Sequence, residues 1–337
     1  MKVLYAIQGT GNGHLSRARD IIPILQRKNI DLDLLVSGTQ ADVGLPHSIK
    51  YQLRGWSFIF GKKGGVDMWR TYLRTNSARL QKEIKSIKVH DYDLVINDFE
   101  PVSSWACKLN GKPCISLSHQ AAVLSPYSPK PKKGDLLGNL ILKNYAPSTS
   151  QFGFHFKSYG DRIFTPVIRQ EIRNTTRTSG DHYTVYLPSY SDKKILKLLA
   201  NMKHIEWQVF SKHNKTKSFW KNIAVYPINN ESFINSMANS KGVLCGAGFE
   251  TPSEALHMGK KLMVIPMKGQ YEQQCNAAAL KEMKVPVIKS LKMKHLQKLE
   301  EWVDSSLRVE VYYPDITESI IDRLLEESTV GMTTAPY

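Results

Sequence analysis

The chain has 337 residues, 42% of them hydrophobic, with four cysteines and a formal net charge of +16 at pH 7. A chain of this length favours two domains, each able to bury a core of its own. The cysteines show no paired CxxC spacing, which argues against a zinc site or a disulfide framework. No zinc-finger, RNP-like or helix-turn-helix pattern accompanies the basic residues, so nucleic acid is not an expected partner.

The positive charge is concentrated in the first half of the chain. Residues 1–165 carry 23 Lys and Arg against 12 Asp and Glu, a net of +11, and the rest of the chain carries a net of +5. Such a surface suits an anionic membrane face or an acidic glycan, although a general effect on solubility explains it equally well. The apolar run at the N-terminus is too short for a signal peptide or a membrane span, so we expect a cytoplasmic protein, with peripheral contact to the inner face of the membrane as an option.

Strand-like and helical segments alternate along both halves of the chain. In the first half, buried strand patterns are separated by helical patterns at about 15–28 and 67–88, and a second alternating set begins at residue 182. This alternation predicts an α/β architecture with doubly wound, Rossmann-like parallel sheets. We place domains at 1–165 and 166–314, followed by a terminal segment, 315–337, that holds an amphipathic helix.

A glycine-rich turn follows the first strand and ends in a histidine. Gly11, Asn12 and Gly13 precede His14 in this turn. A dinucleotide-binding fingerprint needs a small residue where His14 stands and an acid at the end of the second strand, where the chain has Ser37 and a glycine, which argues against a nicotinamide-dependent enzyme. A histidine exposed at a sheet edge can accept a proton near neutral pH, with packing at a helix N-terminus as the alternative role.

A carboxylate follows a neighbouring strand of the same predicted sheet. Asp98 ends the strand DLVIND, and the carboxyl ends of neighbouring strands share one crevice in a doubly wound sheet. His14 and Asp98 could therefore meet, and a carboxylate on one imidazole nitrogen would fix the tautomer and raise the basicity of the other nitrogen. Glu100 lies close in sequence and is the alternative partner.

The next strand, CISLS, delivers three polar residues to the same edge. Ser118, His119 and Gln120 end or follow this strand, so we predict that they reach the crevice as acceptor contacts. An ordinary capped loop would explain them almost as well.

Two further segments of the first half are candidates for acceptor binding. Residues 130–143, KPKKGDLLGNLILK, join a basic cluster to a leucine-rich stretch that could rest on anionic lipid, or instead cover the N-terminal sheet. The Gly-rich loop 55–67 could be a mobile flap, on which Trp56 and Phe58 would stack on a sugar or be buried in the core.

The densest set of candidate ligand-binding residues lies at 245–276. Gly246 and Gly248 let the backbone turn close to a ligand, and Thr251 with the following proline opens a helix whose N-terminus attracts phosphate. Glu254 lies early in that helix, within reach of the paired hydroxyls of a ribose bound over the turn. This pattern predicts a nucleotide site.

Other candidates for the same site come from two loops of the second half. Gln270, Glu272 and Gln273 follow a buried strand at the carboxyl edge, where open parallel sheets bind ligands. Ser189 ends the first strand of the second half, where hydroxyl groups commonly meet a pyrophosphate.

The segment 245–276 resembles the donor-binding signature of inverting GT-B glycosyltransferases, namely the UDP-glucuronosyltransferase-like family and its peptidoglycan N-acetylglucosaminyltransferase relatives. Cys245 stands where the first family has a histidine, and Glu272 stands where Asp is usual, so the resemblance specifies the nucleotide site better than the sugar. An ordinary βαβ unit with a well-capped helix is the alternative. The matching positions are Gly246, Gly248, Ser253, Glu254, Gly259, Pro266, Glu272, Gln273 and Asn276.

The resemblance implies a GT-B fold, in which two Rossmann-like domains face a central cleft and the helix in 315–337 crosses back toward the N-terminal domain. It implies that His14 deprotonates the acceptor hydroxyl with support from Asp98, and that Ile228 and Phe233 pack on the nucleotide base. It also implies a single displacement with inversion. No Asp-x-Asp or other metal-ligand cluster stands out, so we expect neither a metal nor a cofactor.

The sequence therefore predicts an inverting, metal-independent glycosyltransferase that moves a sugar, a hexosyl group, from a nucleotide donor of the UDP type to a hydroxyl acceptor, with a lipid-linked or cell-envelope glycan as an option. One alternative is a nucleotide-sugar epimerase of the same architecture, which would need additional carboxylates such as Glu100 in the cleft. Another is a non-catalytic nucleotide- or glycan-binding protein.

Overall fold

The computed structural model describes residues 1–38, 45–56 and 77–333, with side chains described as far as residue 329. From residue 57 onward the predicted flap lies outside the described residues, as does the first part of the helix predicted at 67–88. The described chain forms two sheets flanked by helices, so the predicted α/β architecture is confirmed.

The first sheet has seven parallel strands in the order β3-β2-β1-β4-β5-β6-β7. The chain order reverses between β1 and β4, and the crevice at such a point is where doubly wound sheets bind ligands. The strands are β1 (Lys2–Gln8), β2 (Asp31–Ser37), β3 (Tyr51–Leu53), β4 (Leu94–Asp98), β5 (Cys114–Ser118), β6 (Ser150–Phe154) and β7 (Ile163–Phe164).

Helices cover both faces of this sheet. The helix predicted to start at about residue 15 begins at Asn12, because the glycine-rich turn supplies its first turn and Gly11, with a φ of 93°, precedes it. Its apolar residues recur on one face and are buried against the sheet. The helices are α1 (Asn12–Arg27), α2 (Ser77–Ser86), α3 (Pro101–Leu109), α4 (His119–Leu124) and α5 (Leu136–Tyr145).

The second sheet has six strands in the order β10-β11-β9-β8-β12-β13, parallel except for the β10–β11 pair. Its order reverses between β8 and β12, so the loops after these two strands flank a second crevice. The strands are β8 (His182–Tyr186), β9 (Glu206–Ser211), β10 (Ser218–Trp220), β11 (Ile223–Pro227), β12 (Gly242–Gly246) and β13 (Lys261–Ile265).

The helices of the second half follow the same alternation. A linker between β7 and β8 carries one short helix, and the last helix of the chain runs over Thr317–Thr333, inside the terminal segment predicted to hold an amphipathic helix. The helices are α6 (Gln170–Arg173), α7 (Asp192–Leu199), α8 (Asn230–Asn239), α9 (Glu250–His257), α10 (Tyr271–Glu282), α11 (Leu296–Asp304) and α12 (Thr317–Thr333). None of the helices in the described ranges is long and apolar enough to span a bilayer.

The last helix, α12, packs on α1 of the first sheet. Ile321 and Leu324 are fully buried there, and Lys28, the residue that follows α1, binds two carboxylates of α12, lying 2.7 Å from Glu318 and 2.8 Å from Asp322. The chain therefore returns to its first half after completing the second sheet.

A second contact between the halves surrounds His119 at the start of α4. Its ring stacks on Phe249 with centroids 3.9 Å apart and planes 4° from parallel, and its Nε2 lies 2.8 Å from Oδ1 of Asn276. These groups are buried, so the two sheets share a continuous interface beneath the cleft.

Candidate functional site

The carboxyl edges of the two sheets face each other across a cleft that contains a cavity of about 170 Å³. His14 and Phe99 line it from the first half, and Gln270 and Glu272 line it from the second. Candidate residues predicted for the acceptor and for the donor therefore meet in one place.

His14 and Asp98 are in direct contact in this cleft. His14 lies in the first turn of α1 and Asp98 ends β4, so the reversal of strand order brings them together, with His14 Nδ1 2.8 Å from Asp98 Oδ1. A carboxylate can only accept, so Nδ1 carries the proton and the other ring nitrogen is left for the cleft. The geometry is that of an imidazole base and its orienting carboxylate.

Arg17 also holds Asp98, and the sequence analysis missed it. Arg17 Nη2 lies 2.7 Å from Asp98 Oδ1 and 2.8 Å from Oδ2, and Nε lies 3.2 Å from Oδ2. Burial raises the pKa of Asp98, but the Arg17 and His14 contacts outweigh burial and hold the pKa below its usual value. The sequence did contain an indication of this contact. Arg17 lies within the apolar stripe of α1, and a charged side chain that is buried there requires a counter-charge.

Glu250 connects this cluster to the second half of the chain. It is the first residue of α9, and its Oε1 lies 2.6 Å from Nη1 of Arg17. The other carboxylate oxygen occupies the space beside Gly13, where an added Cβ would lie 2.5 Å from it. Sequence reasoning gave the acidic role at this helix to Glu254 and overlooked Glu250, the carboxylate that binds Arg17.

Glu254, the predicted ribose ligand, is only 4% exposed and is already paired. Arg169, from the linker that follows β7, binds both carboxylate oxygens, with Nε 2.6 Å from Oε1 and Nη2 3.1 Å from Oε2. Burial raises the pKa of Glu254 and the Arg169 pair opposes that rise. A ribose could use this carboxylate only by sharing it with the guanidinium.

The glycine turn and α9 leave room for a ligand at some predicted positions and not at others. An added Cβ on Gly248 would meet nothing within 4 Å, and one on Gly246 would approach only oxygens, of Gln273 at 3.9 Å and of the Ile265 carbonyl at 4.0 Å. Thr251 is half-buried in the first turn of α9. Ser253 departs from its prediction, because it is buried and its hydroxyl donates to the Phe249 carbonyl oxygen at 2.8 Å, which supports the helix.

Of the three residues predicted to face the sugar, two line the cavity and one does not. Gln270 precedes α10 and lines the cavity, as does Glu272, whose Oε2 accepts from Gln120 Nε2 at 3.0 Å. Gln273 instead accepts from the backbone amide of Met267 at 2.8 Å and thereby holds the loop after β13.

Two predicted acceptor contacts are in the interior. Ser118 is fully buried and caps α4 by accepting from the Ala121 amide at 3.1 Å. His119 is 1% exposed, with Nδ1 2.7 Å from the Phe154 carbonyl oxygen and Nε2 on Asn276. These two residues therefore serve the fold and the interface, and among the three only Gln120 lines the cavity.

Glu100, the alternative carboxylate, is fully buried and commits its side chain to α3. Its oxygens accept from the backbone amides of Val102 and Ser103, each at 2.7 Å, and from the Ser37 hydroxyl at 2.5 Å. A carboxylate in that position caps a helix and does not reach the cleft.

The residues predicted to meet the nucleotide base and diphosphate lie around the second crevice. Phe233 packs on Tyr186 and Phe210, with ring centroids 5.4 and 5.1 Å apart, so it belongs to an aromatic cluster at the carboxyl end of β8 and β9. Ser189 and Ile228 are half-buried in the loops after β8 and β11. Within the described ranges, no group of three or more His, Cys, Asp and Glu side chains could hold a metal ion.

Comparison with known proteins gives the same architecture. The chain is similar in structure to MurG of Acinetobacter baumannii (14% identity, 96% of this chain and 99% of that chain covered, TM-score 0.57) and to UGT89C1 of Arabidopsis thaliana complexed with UDP (12%, 97% and 94%, 0.61). It is also similar to the spinosyn rhamnosyltransferase SpnG complexed with thymidine diphosphate (12%, 98% and 96%, 0.55). These similarities show the GT-B fold.

No curated protein sequence matched the chain. The family model described as glycosyl transferase family 1 matches residues 1–305, which is most of the chain. This match agrees with the two facing Rossmann-like sheets and with the histidine–carboxylate pair in the cleft. The chain belongs to glycosyl transferase family 1.

Proposed function

We propose that the protein transfers a hexosyl group from a nucleoside diphosphate donor, of the UDP type, to a hydroxyl acceptor with inversion, using neither a metal ion nor a cofactor. The observation that carries the proposal is the contact between His14 Nδ1 and Asp98 Oδ1 at 2.8 Å, next to Arg17, which binds Glu250 at the N-terminus of α9. Two of the similar proteins hold UDP and thymidine diphosphate, which supports a nucleoside diphosphate as donor.

In the proposed reaction, Nε2 of His14 takes the proton of the acceptor hydroxyl. The acceptor oxygen attacks the anomeric carbon from the face opposite the leaving group, and the bond from that carbon to the diphosphate breaks with its electron pair moving to the phosphate oxygen. Asp98 stabilises the imidazolium that forms. The backbone amides of the Gly246–Gly248 turn and of the first turn of α9 would offset the charge on the leaving diphosphate.

The exposed face of α5 supports an acceptor at a membrane surface. Leu136, Leu137 and Leu140 are 87%, 61% and 58% exposed, and Lys132 and Lys133 are exposed just before the helix. Leucines flanked by lysines suit an anionic bilayer, with the apolar side chains inserted and the ammonium groups at headgroup level. Leu137 also lines the cleft cavity, so a lipid-linked acceptor held by this face could reach His14.

The epimerase alternative gains no support from Glu100, which caps α3. Asp98, the other carboxylate considered for that chemistry, is bound by Arg17 at both oxygens. Transfer to a hydroxyl needs only the His14–Asp98 pair, so it remains the proposal.

The deciding experiment measures nucleotide binding and product formation separately. Thermal shift with UDP, dTDP, GDP and ADP tests for the nucleotide site, and mass spectrometry of a membrane and sugar extract incubated with the matching nucleotide sugar tests for transfer. We expect His14→Ala to lose transfer about 10²- to 10⁴-fold and to keep the nucleotide affinity. The absence of a shift with every nucleoside diphosphate would overturn the proposal.

A further inference from the structure

Two glutamines in the wall of the cleft present buried acceptor oxygens. Gln8 ends β1 and Gln120 lies in α4, and they are 3% and 5% exposed. Within the described part of the chain, Oε1 of each has no hydrogen-bond partner. A buried acceptor left unpaired costs about 1–3 kcal/mol. Because both side chains also belong to the wall of the cavity, a ligand bound in the cavity could supply the missing donors.

The orientation of the Gln8 amide is determined by Tyr145. The Tyr145 hydroxyl donates its single proton to the Trp56 carbonyl oxygen, so towards Gln8 it can only accept. Gln8 Nε2 donates to that hydroxyl at 2.6 Å. The amide nitrogen must therefore be on the tyrosine side, and Oε1 is fixed as an acceptor.

Gln120 is oriented in the same manner by Glu272. The carboxylate accepts from Gln120 Nε2 at 3.0 Å, and an ionised carboxylate offers no donor in return. Gln270, on the opposite side of the cleft, adds a third Oε1 without a partner in the described residues. All three glutamines line the cavity beside His14.

The cavity also has an apolar side. Phe99 lines it from a backbone with a φ of +56°, a conformation that an aromatic residue rarely adopts, and its ring packs on Tyr145 with centroids 4.7 Å apart. Leu137 and Ile141 of α5 line the cavity as well. A pyranose ring has apolar C–H faces and hydroxyl donors around its perimeter, so it matches both kinds of wall.

We propose that this cavity binds a sugar ring of the acceptor, with the amide oxygens of Gln8 and Gln120 accepting from its hydroxyl groups and Phe99 lying against its C–H face. The assignment of the ring to the acceptor rests on the proposed transfer reaction, since the attacking oxygen must come within reach of His14. The cavity then selects a glycan or glycolipid over an aglycone that lacks neighbouring hydroxyls, because such a molecule leaves both amide oxygens unpaired.

The test is an NMR titration of the full chain with simple pyranosides. The probes are the methyl glycosides of glucose, galactose, mannose and N-acetylglucosamine, and the reference is tetrahydropyran-2-methanol, which keeps the ring but lacks the ring hydroxyls. We expect at least one glycoside to bind ten or more times more tightly than the reference. We expect Gln8→Met and Gln120→Met each to remove most of that preference, whereas Gln297→Met, on the exposed face of α11, should retain it.

Melting temperatures show whether the variants fold. Each methionine removes an unpaired oxygen but also the hydrogen bond that the amide nitrogen donates, to Tyr145 or to Glu272, so we expect a small fall in melting temperature without loss of the folded state. If no glycoside binds more tightly than the reference, or if both variants keep the full preference, the inference is wrong. These titrations need no nucleotide, so they remain decisive even if nucleotide binding fails and the proposed function falls.

A second measurement distinguishes an acceptor sugar from the sugar of the donor. Calorimetry gives the affinities for UDP and UDP-glucose in the same variants. For an acceptor site, both affinities should stay within about threefold of the wild type. If Gln8→Met or Gln120→Met weakens UDP-glucose tenfold and leaves UDP unchanged, the cavity holds the donor sugar and the acceptor assignment is overturned.

Discussion

Arg17 and Glu250 join the two halves of the protein beside the cleft, with Nη1 of the guanidinium 2.6 Å from Oε1 of the carboxylate. The same guanidinium holds both oxygens of Asp98, which in turn contacts His14. The side chain of Arg17 is 2% exposed and that of Glu250 is 29% exposed, so solvent screens the pair only in part. The position of the candidate base therefore depends on a contact with the opposite domain.

Glu250→Gln should lower kcat about tenfold and change the affinity for the nucleotide less than threefold. The loss of the charge frees Arg17 to shift toward Asp98 and disturbs the alignment of His14. Steady-state kinetics and calorimetry measure the two quantities. Glu318→Gln is the matched control, because it removes one carboxylate from the contact between α12 and Lys28, at the other end of α1. A fall of the same size in the control would mean that any lost contact between the two halves has this effect, and that the Arg17–Glu250 pair has no special role.

Asp98→Asn should lower kcat about 10²- to 10⁴-fold, because an amide no longer selects the tautomer of His14 that carries its proton on Nδ1. Nucleotide affinity should remain. Single-turnover rates with saturating donor measure the effect, and ¹⁵N shifts of the His14 ring report the tautomer without turnover. Equal rates in the variant and the wild type would remove Asp98 from the mechanism.

The stabilising effect of Asp98 should disappear in acid. The pKa of Asp98 is lower in the folded protein than its ordinary value of 3.8, so its ionised form stabilises the fold above that pH, and the contribution is lost as the pH falls through the folded-state pKa. Urea unfolding of the wild type and of Asp98→Asn from pH 7 to pH 3 measures this. The difference in unfolding free energy should be constant from pH 7 to about pH 5 and should shrink below about pH 4. A difference that grows in acid would contradict the sign.

The Arg169–Glu254 pair should be strongly coupled. Both side chains are largely buried, at 12% and 5% exposure, so removing either one leaves an uncompensated charge and should cost about 3–5 kcal/mol. A double-mutant cycle with alanine at both positions should give a coupling of about 2 kcal/mol or more. The pair Lys241–Asp181, 2.8 Å apart but 43% and 87% exposed, serves as the control and should give less than about 1 kcal/mol. Similar couplings for both pairs would contradict the prediction.

Gly38→Ala should be more destabilising than Gly111→Ala. Both glycines have positive φ, +124° and +64°, so alanine is strained at either position. At Gly38 an added Cβ would also lie 2.8 Å from the backbone of Gly9, in the turn that leads to His14, whereas at Gly111 it would meet nothing within 4 Å. We expect about 1 kcal/mol for Gly111→Ala and at least twice that for Gly38→Ala, measured by chemical unfolding. Equal costs would show that the turn can move aside.

The architecture could be predicted because alternating strand and helix patterns restrict the fold to parallel sheets with helices on both faces. The approach of His14 to Asp98 could also be expected, since Asp98 ends one strand and His14 lies in the turn that follows the neighbouring strand. Contacts between residues far apart in sequence could not be predicted: nothing in the local pattern indicates that Arg17 would bind Glu250, or that Arg169 would bind Glu254.

Burial was the second limit of the sequence analysis. Ser118 and His119 follow a strand in the same way as Gln120, yet only Gln120 lines the cavity. The first residue caps α4 and the second packs under the cleft against Phe249, and both roles depend on the neighbouring domain and on helix geometry. Strand-end position alone cannot separate such residues from ligand contacts.

The docking of α12 on α1 means that the polypeptide passes between the two sheets twice, once through the linker around α6 and once on the way to α12. A protease that cuts only the linker would leave the halves tethered by the second connection and by the buried Ile321 and Leu324. Expression of the first sheet by itself would uncover the apolar groove that these side chains fill. Any split version of this protein should therefore be produced as two fragments together.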